Sequence, residues 1–244
     1  MRVYAIGDIH GHSGLLRMAH DRIAADRARL GDTGAPVVHI GDLTDRGPDT
    51  RGVIQFLIDG QAQGEPWVVL RGNHDRMFTG YLSDPHHRDP GLKSDKGWLH
   101  PALGGNATLE SYGLVNPGDR PVAQVHAEAV AAVPAAHRDW LDSRPLFYDH
   151  PLAIFVHAGL RPGVPLTAQA EDDLVWIREP FLSDPRDHGR LVVHGHTAID
   201  RATHYGNRLN IDSSAAYGGP LSAVVIEPGG AFLLTDDGRE VLTP

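Results

Sequence analysis

Five short segments of this chain carry side chains that bind metals or transfer protons. They are residues 7–11, 41–47, 72–75, 157–159 and 194–197, and each follows an apolar run that predicts a β-strand. Aspartate, asparagine and histidine supply oxygen and nitrogen ligands for divalent Mn, Fe or Zn, and one carboxylate can bridge two ions that activate a shared water. One such segment alone could be an ordinary turn, because Gly, Asp and His are common in turns. Five in this order predict a two-metal phosphoesterase.

The composition excludes several other classes of protein. The chain has no cysteine, so it has no disulfides, no thiolate metal site and no Cys-dependent tyrosine phosphatase chemistry. Its net charge of −9 argues against general nucleic-acid binding, which needs a basic surface. No apolar stretch has the length of a membrane span, so we expect a cytoplasmic protein that binds no membrane. The sequence does not indicate an oligomeric state.

The apolar runs describe the elements that must position these segments. The predicted strands are residues 3–6, 37–40, 67–70, 152–156, 191–193, 209–211, 222–226 and 232–234. Helices are predicted from Ser13 onward, with Leu15, Met18, Ile23 and Leu30 as its apolar positions, and at 49–62 and 127–141. The first part of the chain is thus βαβαβ, which implies parallel strands whose carboxyl ends bind the ligand.

Residues 81–124 interrupt this regular pattern. They are rich in Pro, Gly, Asp and His, and they are too many for an ordinary connection inside a compact domain. At 244 residues the chain has the length of one large domain. We therefore predict a single domain over residues 1–244, with residues 81–124 as a cap insertion.

The order of the five segments resembles the calcineurin-like metallophosphoesterase superfamily. The Asp-Arg-Gly at residues 45–47 is similar to the phosphoprotein phosphatase family within it, and residues 174–181 and 207–213 resemble bacterial serine/threonine phosphatases, including the bacteriophage lambda enzyme. The resemblance covers nearly the whole chain. It implies an α/β fold, a four-layer α-β-β-α sandwich in which two mixed β-sheets are flanked by helices.

The resemblance also implies the ligands of two divalent ions, with Mn expected and Fe or Zn as alternatives. The first ion falls on Asp8, His10 and Asp42, and Asp42 bridges to a second ion held by Asn73, His157 and His196. Asp8 and His10 are two residues apart and so can lie on one side of an extended segment, as two ligands of one ion must. His194 stays open as an alternative to His196.

Four further residues are implied as catalytic groups. His74 protonates the leaving oxygen, and Asp45 holds its imidazole in the tautomer that an acid needs. Arg46 and Arg178 bind the phosphoryl oxygens, since guanidinium forks match their geometry. For Arg178 the alternative is a surface arginine paired with Glu179 or Asp173.

The predicted function is hydrolysis of a phosphomonoester by a metal-bridging hydroxide, in a serine/threonine protein phosphatase acting on a phosphoprotein or a phosphorylated small molecule. The alternative is a symmetrical bis(5′-nucleosyl)-tetraphosphatase, in which residues 81–112 would build a nucleotide pocket with Lys93 and Lys96 and with Trp98 as a stacking platform. A third reading, a non-enzymatic phosphopeptide-binding protein, predicts a broken ligand set. Every ligand position is filled.

Overall fold

The computed structural model describes residues 1–32 and 34–244, and eleven strands and seven α-helices lie within that part of the chain. The strands are Val3–Ile6 (β1), Val37–His39 (β2), Trp67–Val69 (β3), Phe147–His150 (β4), Ala153–Val156 (β5), Leu191–His194 (β6), Thr203–His204 (β7), Arg208–Asn210 (β8), Ala223–Glu227 (β9), Gly230–Thr235 (β10) and Gly238–Leu242 (β11). The helices are Ser13–Leu30 (α1), Thr50–Ala62 (α2), Asn73–Ser83 (α3), Gly105–Ser111 (α4), Val122–Ala132 (α5), Ala135–Asp142 (α6) and Glu171–Trp176 (α7). None of these helices is long and apolar enough to cross a bilayer.

The strands form two mixed sheets. The first has the order β11-β10-β9-β1-β2-β3, in which β1, β2 and β3 are parallel and β9 to β11 are antiparallel. The second has the order β4-β5-β6-β8-β7, in which β5, β6 and β8 are parallel. Each sheet therefore has three adjacent parallel strands, whose carboxyl ends lie at one edge.

The burial of alternate strand residues shows how the layers stack. On β1, Tyr4 and Ile6 pack in one apolar cluster with α1 and α2, whereas Val3 and Ala5 pack in a second cluster between the two sheets. A third cluster joins the outer face of the second sheet to α7. The predicted four-layer arrangement, two mixed sheets flanked by helices, is confirmed.

The buried face of α1 differs from the predicted one. Leu16, Ala19 and Ile23 are buried, while Met18 is 46% and Leu30 is 42% exposed. The buried residues follow the spacing of three and four that keeps side chains on one face, and the predicted set does not keep to that spacing throughout.

The helix predicted at residues 127–141 is two helices, α5 and α6. Val133 between them has an extended backbone, with φ −81° and ψ 119°, and Pro134 follows it. A proline disfavours the helical conformation of the residue before it, which ends α5. The sequence carried this signal, and the prediction of one helix was wrong.

The segment 81–124 is more regular than its composition indicates. It contains the end of α3, all of α4 and the start of α5. Its apolar residues Leu103, Leu109, Tyr112 and Leu114 are buried in the same cluster as α1 and α2. Most of this segment thus packs as part of the helical layer beside the first sheet.

Asp26 is a buried charge far from the predicted site. Its carboxylate accepts from the Tyr4 hydroxyl at 2.9 Å and from Arg239 Nε and Nη2 at 2.8 and 2.7 Å. Burial acts to raise the pKa of Asp26, but the hydrogen bonds from Arg239 and Tyr4 outweigh it and hold the pKa below its ordinary value. The network ties α1 to β1 and β11.

We expect Asp26→Asn to lower the free energy of unfolding by about 2–4 kcal/mol, because it leaves buried donors without their anion. Since the folded-state pKa is lowered, the stabilisation is present above the unfolded-state pKa of about 4 and is lost as the pH falls through the folded-state value. Chemical denaturation at pH 7 and pH 3 measures this, and the difference between wild type and variant must shrink at pH 3. Asp236→Asn, at an exposed pair with Arg22, is the control and should leave the denaturation midpoint unchanged.

Candidate metal-dependent active site

The predicted site residues lie on loops at the carboxyl ends of the parallel strands. In the first sheet, Asp8 and His10 follow β1, Asp42 follows β2, and Asn73 begins α3 after β3. In the second sheet, His157 follows β5. His196 follows β6, so the loops of both sheets meet in one cavity at the common edge.

One group of ligand atoms converges from both sheets. His157 Nε2 lies 3.3 Å from Asp42 Oδ1 and 2.9 Å from Asn73 Oδ1, and His196 Nδ1 lies 2.9 Å from the same Asn73 oxygen. His157 Nδ1 donates to the Ile40 carbonyl at 3.0 Å, which leaves the Nε2 lone pair facing two acceptor oxygens. Acceptors facing one another require a proton or a cation between them. These four residues can hold a divalent ion.

A second group lies on the other side of Asp42. His10 Nδ1 donates to the Thr44 carbonyl at 2.8 Å, and His10 Nε2 lies 3.5 Å from Asp42 Oδ2. Asp8 accepts at Oδ2 from the His196 backbone N–H at 3.0 Å, while its buried Oδ1 has no hydrogen-bond partner among the described residues. The two oxygens of Asp42 thus face the two groups, as a bridging carboxylate must.

The charges in this cavity favour divalent cations. Asp8 is buried near the carboxylates of Asp212 and Asp42, and burial together with Asp212 raises the pKa of Asp8 well above its usual range. Burial acts to lower the pKa of His157, but Asp42 outweighs it and raises that pKa to about 9. A crowded set of oxygen and nitrogen ligands with no sulfur fits Mn, Fe or Zn. The residues present fit the predicted two-metal site.

The backbone at the site adopts conformations that most residues avoid. Positive φ angles occur at His10 (44°), Asp42 (49°), Asp45 (72°), Arg46 (70°) and His196 (64°). Such conformations cost free energy and cluster at functional sites, where the surrounding structure maintains them. Five predicted site residues have this backbone conformation, which indicates that the loops serve function rather than stability.

A glycine allows the two sheets to approach at Asp8. A Cβ on Gly195 would lie 1.9 Å from Asp8 Oδ1, so any side chain there would displace the carboxylate. The Gly between His194 and His196 is therefore required by close approach across the site.

His74 and Asp45 form the predicted acid pair. His74 Nδ1 lies 2.7 Å from Asp45 Oδ2, and the His74 backbone N–H donates to Asp42 Oδ1 at 2.9 Å. Asp45 is fully buried and also accepts from Trp98 Nε1 at 2.9 Å and from Thr108 Oγ1 at 2.8 Å. Three donors from separate parts of the chain thus fix the carboxylate that orients His74.

The two predicted arginines line the cavity. Arg46 donates from Nη1 to His10 Nε2 at 2.8 Å and from Nη2 to His74 Nε2 at 3.0 Å. Arg178 donates to the His196 carbonyl at 3.4 Å. An ion pair of Arg178 with Asp173 or Glu179 does not occur in the described part of the chain, where Asp173 pairs with Arg161. Arg178 is thus an exposed arginine at the cavity wall, and the ion pair that the alternative expects is absent from the described residues.

His194 is not a metal ligand and Trp98 is not a stacking platform at the metal cavity, the two roles that the sequence analysis considered for them. His194 is buried against Phe181, and its Nε2 accepts from Arg208 at 3.2 Å, so this side chain belongs to neither ligand group. Trp98 is only 5% exposed and does not line the metal cavity, so it is no stacking platform for a substrate there.

Sequence reasoning missed several residues that support the site. Asp75 accepts from the backbone N–H groups of Gly72 and Leu43, at 2.9 Å each, and so braces the loop that carries Asp42. Trp176 packs edge-on against His196, with ring centroids 5.6 Å apart, and its indole donates to the buried Asp89. Asp75 follows directly after His74 and could have been found; the others required tertiary contacts.

The hydrogen bond from Trp98 to Asp45 predicts a role in positioning His74. We expect Trp98→Phe to lower kcat on an alkyl phosphate monoester roughly tenfold, as for groups that orient a functional residue, and to affect p-nitrophenyl phosphate less. Stopped assays of both substrates measure this difference. Trp140→Phe is the matched control, because the Trp140 indole also donates to a side-chain oxygen, that of Gln61, away from the cavity. Equal losses on both substrates would mean that Trp98 only stabilises the fold.

The comparison with known families agrees with this geometry. A model of the calcineurin-like phosphoesterase family matches residues 1–223. The chain belongs to this family, and the resemblance predicted from its motifs is confirmed. It is thus a metallophosphoesterase, a metal-dependent hydrolase of phosphate esters.

Relatives with different substrates in their names match at similar levels. Serine/threonine-protein phosphatase 1 of Salmonella typhimurium is 28% identical over 242 residues, which cover 92% of each chain. The asymmetrical bis(5′-nucleosyl)-tetraphosphatase PrpE of Geobacillus sp. is 23% identical over 251 residues, covering 91% of this chain and 89% of PrpE. A crystal structure provisionally described as a diadenosine tetraphosphatase has a TM-score of 0.65 and 23% identity, covering 96% of this chain and 94% of the other. At that identity the structure supports the fold alone.

Proposed function

We propose that this protein is a two-metal phosphomonoesterase that acts on serine/threonine phosphoproteins. One observation carries the proposal. The metal cavity has a volume of about 250 Å³, and Arg46 and Arg178 are the only arginines or lysines among the described residues that line it. Two guanidinium groups beside two divalent ions match the charge of a single phosphoryl group. The name of the Salmonella relative agrees with this substrate class.

Of the proposed ligands, His10, Asp42, Asn73 and His196 line the cavity, and Asp8 and His157 are buried near Asp42. Asp8, His10 and Asp42 hold one ion, and Asp42, Asn73, His157 and His196 hold the other. Two divalent ions there supply an activated water and neutralise charge on the phosphoryl oxygens. We propose Mn as the metal, with Fe or Zn as ions that the same oxygen and nitrogen ligands accept.

His74 is proposed as the acid. Its Nδ1 donates to Asp45, so Nε2 is the nitrogen that faces the cavity and transfers a proton to the leaving oxygen. Asp45 stabilises the imidazolium before the transfer and holds the ring throughout.

Arg46 lies between His10 and His74, within hydrogen-bond distance of both. A metal ion on His10 Nε2 and the acidic proton on His74 Nε2 each require the lone pair that accepts from Arg46 in this structure, so each excludes its hydrogen bond from Arg46. We propose that metal binding frees the Arg46 guanidinium for the phosphoryl oxygens. Arg178, two residues after the end of α7, also lines the cavity and binds them.

The second candidate function is hydrolysis of a dinucleoside tetraphosphate, which the name of the Geobacillus relative suggests. That relative is of the asymmetrical type, so the symmetrical alternative has no support from it. A tetraphosphate carries about four negative charges and calls for a cluster of Arg and Lys. Arg88, Lys93, Lys96 and Arg120 do not line the metal cavity. Residues 81–124 contribute Leu92 and Leu103 to its wall instead, and we propose that they form an open, mostly apolar side of the substrate cleft.

The test is the ratio of kcat/KM for a phosphothreonine peptide to kcat/KM for diadenosine tetraphosphate, measured on the Mn-loaded protein. We expect a ratio well above one. A ratio well below one assigns the protein to the nucleotide hydrolases, and the products then identify the type, because AMP with ATP requires asymmetrical cleavage and ADP alone requires symmetrical cleavage. Either outcome leaves the metal ligands unchanged.

A further inference from the structure

A second cavity, of about 310 Å³, lies beside the metal cavity and shares no lining residue with it. Its walls include the rings of Tyr81 and Trp98 and the apolar side chains of Leu99 and Val122. The volume falls at the lower end of the range for small-molecule sites, about 300–1,000 Å³. None of the proposed catalytic steps uses this cavity.

Two residues that line the cavity, Tyr81 and His87, each have a buried polar atom without a hydrogen-bond partner among the described residues. Tyr81 is 3% exposed, and its hydroxyl makes no hydrogen bond among the described residues. A buried hydroxyl left unpaired costs roughly 1–3 kcal/mol. An occupant that hydrogen-bonds to this oxygen would recover that cost.

The cavity is also locally basic on an acidic protein. The charged residues that line it are two cations, Arg88 and Lys96, and one carboxylate, Asp95, whereas the whole chain has a net charge of −9. Arg88 is held at the rim by a hydrogen bond to the Ser94 carbonyl at 2.7 Å. The chain has only two lysines, Lys93 and Lys96, and one of them lines this cavity. An anion is therefore favoured here.

Trp98 connects this cavity to the acid. Its ring lines the cavity, its Nε1 donates to Asp45 Oδ2 at 2.9 Å, and the same oxygen lies 2.7 Å from His74 Nδ1. Tyr81 packs against Trp98, with ring centroids 4.7 Å apart. A molecule that contacts the Trp98 ring therefore contacts a side chain one hydrogen bond from the carboxylate that orients His74.

We propose that this cavity binds a small aromatic molecule bearing one anionic group, and that its occupancy shifts Trp98 and, through Asp45, the orientation of the His74 ring. The ring contacts Tyr81 and Trp98, and the anion pairs with Arg88 and Lys96. The first part of this proposal, binding in the cavity, is independent of the proposed function. The second part, the coupling to His74, rests on the proposed function.

Binding is tested by calorimetry with three probes: indole-3-carboxylate, its neutral analogue indole-3-carboxamide, and acetate. We expect indole-3-carboxylate to bind with a dissociation constant of about 1 mM or below, given its size, and the other two to bind at least about tenfold more weakly. Arg88→Ala/Lys96→Ala should weaken binding by tenfold or more and Tyr81→Phe roughly fivefold. Arg120→Ala, at a partly buried pair with Glu128 outside this cavity, is the control and should not change it.

Tyr81→Phe should keep the fold, because the hydroxyl that it removes makes no hydrogen bond among the described residues. Its effect on binding can therefore be measured even if another variant unfolds. Failure of indole-3-carboxylate to bind, or binding that Tyr81→Phe and the double variant leave unchanged, overturns the proposal.

Coupling is tested by the kcat of the Mn-loaded protein with saturating indole-3-carboxylate. We expect kcat on a phosphothreonine peptide to change threefold or more, kcat on a p-nitrophenyl ester to change less, and both changes to disappear in Trp98→Phe. Binding without any change in kcat overturns the second part of the proposal. A protein that binds the probe but hydrolyses neither ester refutes the proposed function, and the calorimetric result stands.

Discussion

Asp42→Asn is expected to lower hydrolysis of phosphate monoesters at least about 10³-fold, the scale of losing an essential part of a catalytic site. In the structure, Asp42 Oδ2 faces His10 and Asp42 Oδ1 faces His157, at 3.5 and 3.3 Å. Asparagine keeps one oxygen and replaces the other with a donor NH₂, which cannot bind a cation. The proposed bridge between the two ions is then lost.

The fold should survive this substitution. Asp42 lies in a loop after β2, and the apolar clusters between and outside the sheets do not include it. The asparagine oxygen can still accept from the His74 backbone N–H, as Asp42 Oδ1 does at 2.9 Å. Asp21→Asn, an exposed position on α1, is the matched control.

Two measurements on the purified variant decide the role of Asp42. Elemental analysis gives the metal content per chain, and thermal denaturation gives the cooperativity of unfolding. We expect fewer than two metals per chain with a single cooperative transition. Two metals per chain in Asp42→Asn would contradict the bridging role.

His74→Asn is expected to lower kcat on a phosphothreonine peptide by about 10²–10⁴-fold, the range for loss of a general acid. On p-nitrophenyl phosphate the loss of kcat should be much smaller, because p-nitrophenolate leaves without a proton and an alkoxide does not. Asparagine keeps the backbone N–H that donates to Asp42 and removes the imidazole between Asp45 and Arg46.

The comparison of the two substrates isolates proton transfer from other effects. His100→Asn, an exposed histidine in the segment 81–124, is the control and should leave both rates unchanged. Metal content is measured in parallel, since lost metal would slow both substrates together. Equal losses on both esters, at normal metal content, would assign His74 to positioning the water or the phosphoryl group instead.

The residues brought together at the metal cavity were predictable because of where they lie in the sequence. Each of Asp8, Asp42, Asn73, His157 and His196 follows a strand, and the carboxyl ends of parallel strands meet at one edge. Residue chemistry then indicates the kind of ligand each side chain can be. The choice of this set as metal ligands came from the resemblance of the five segments to the calcineurin-like metallophosphoesterase superfamily.

The residues that hold Asp45 beside His74 were not predictable in this way. Trp98 is 53 residues from Asp45 and Thr108 is 63, and both lie in the segment whose composition indicated only a loop. The local sequence does not decide whether an indole in such a segment faces a substrate, solvent or the core. Packing of α4 against α2, and of Trp98 against Phe78 and Tyr81 of α3, decides that it faces Asp45.

The sequence by itself determined the positions of the strands that carry the site and the chemistry of its side chains, because these follow from short-range patterns and from the identity of each side chain. The two-sheet architecture came from the resemblance of its motifs to a known family. Only the tertiary structure decided that His196 faces Asn73 while His194 faces Arg208, and that Trp98 orients the acid. It also placed Arg88 and Lys96 on a cavity separate from the metals. The physical reason is that side-chain orientation is set by contacts between segments far apart in the chain, which local backbone preferences do not specify.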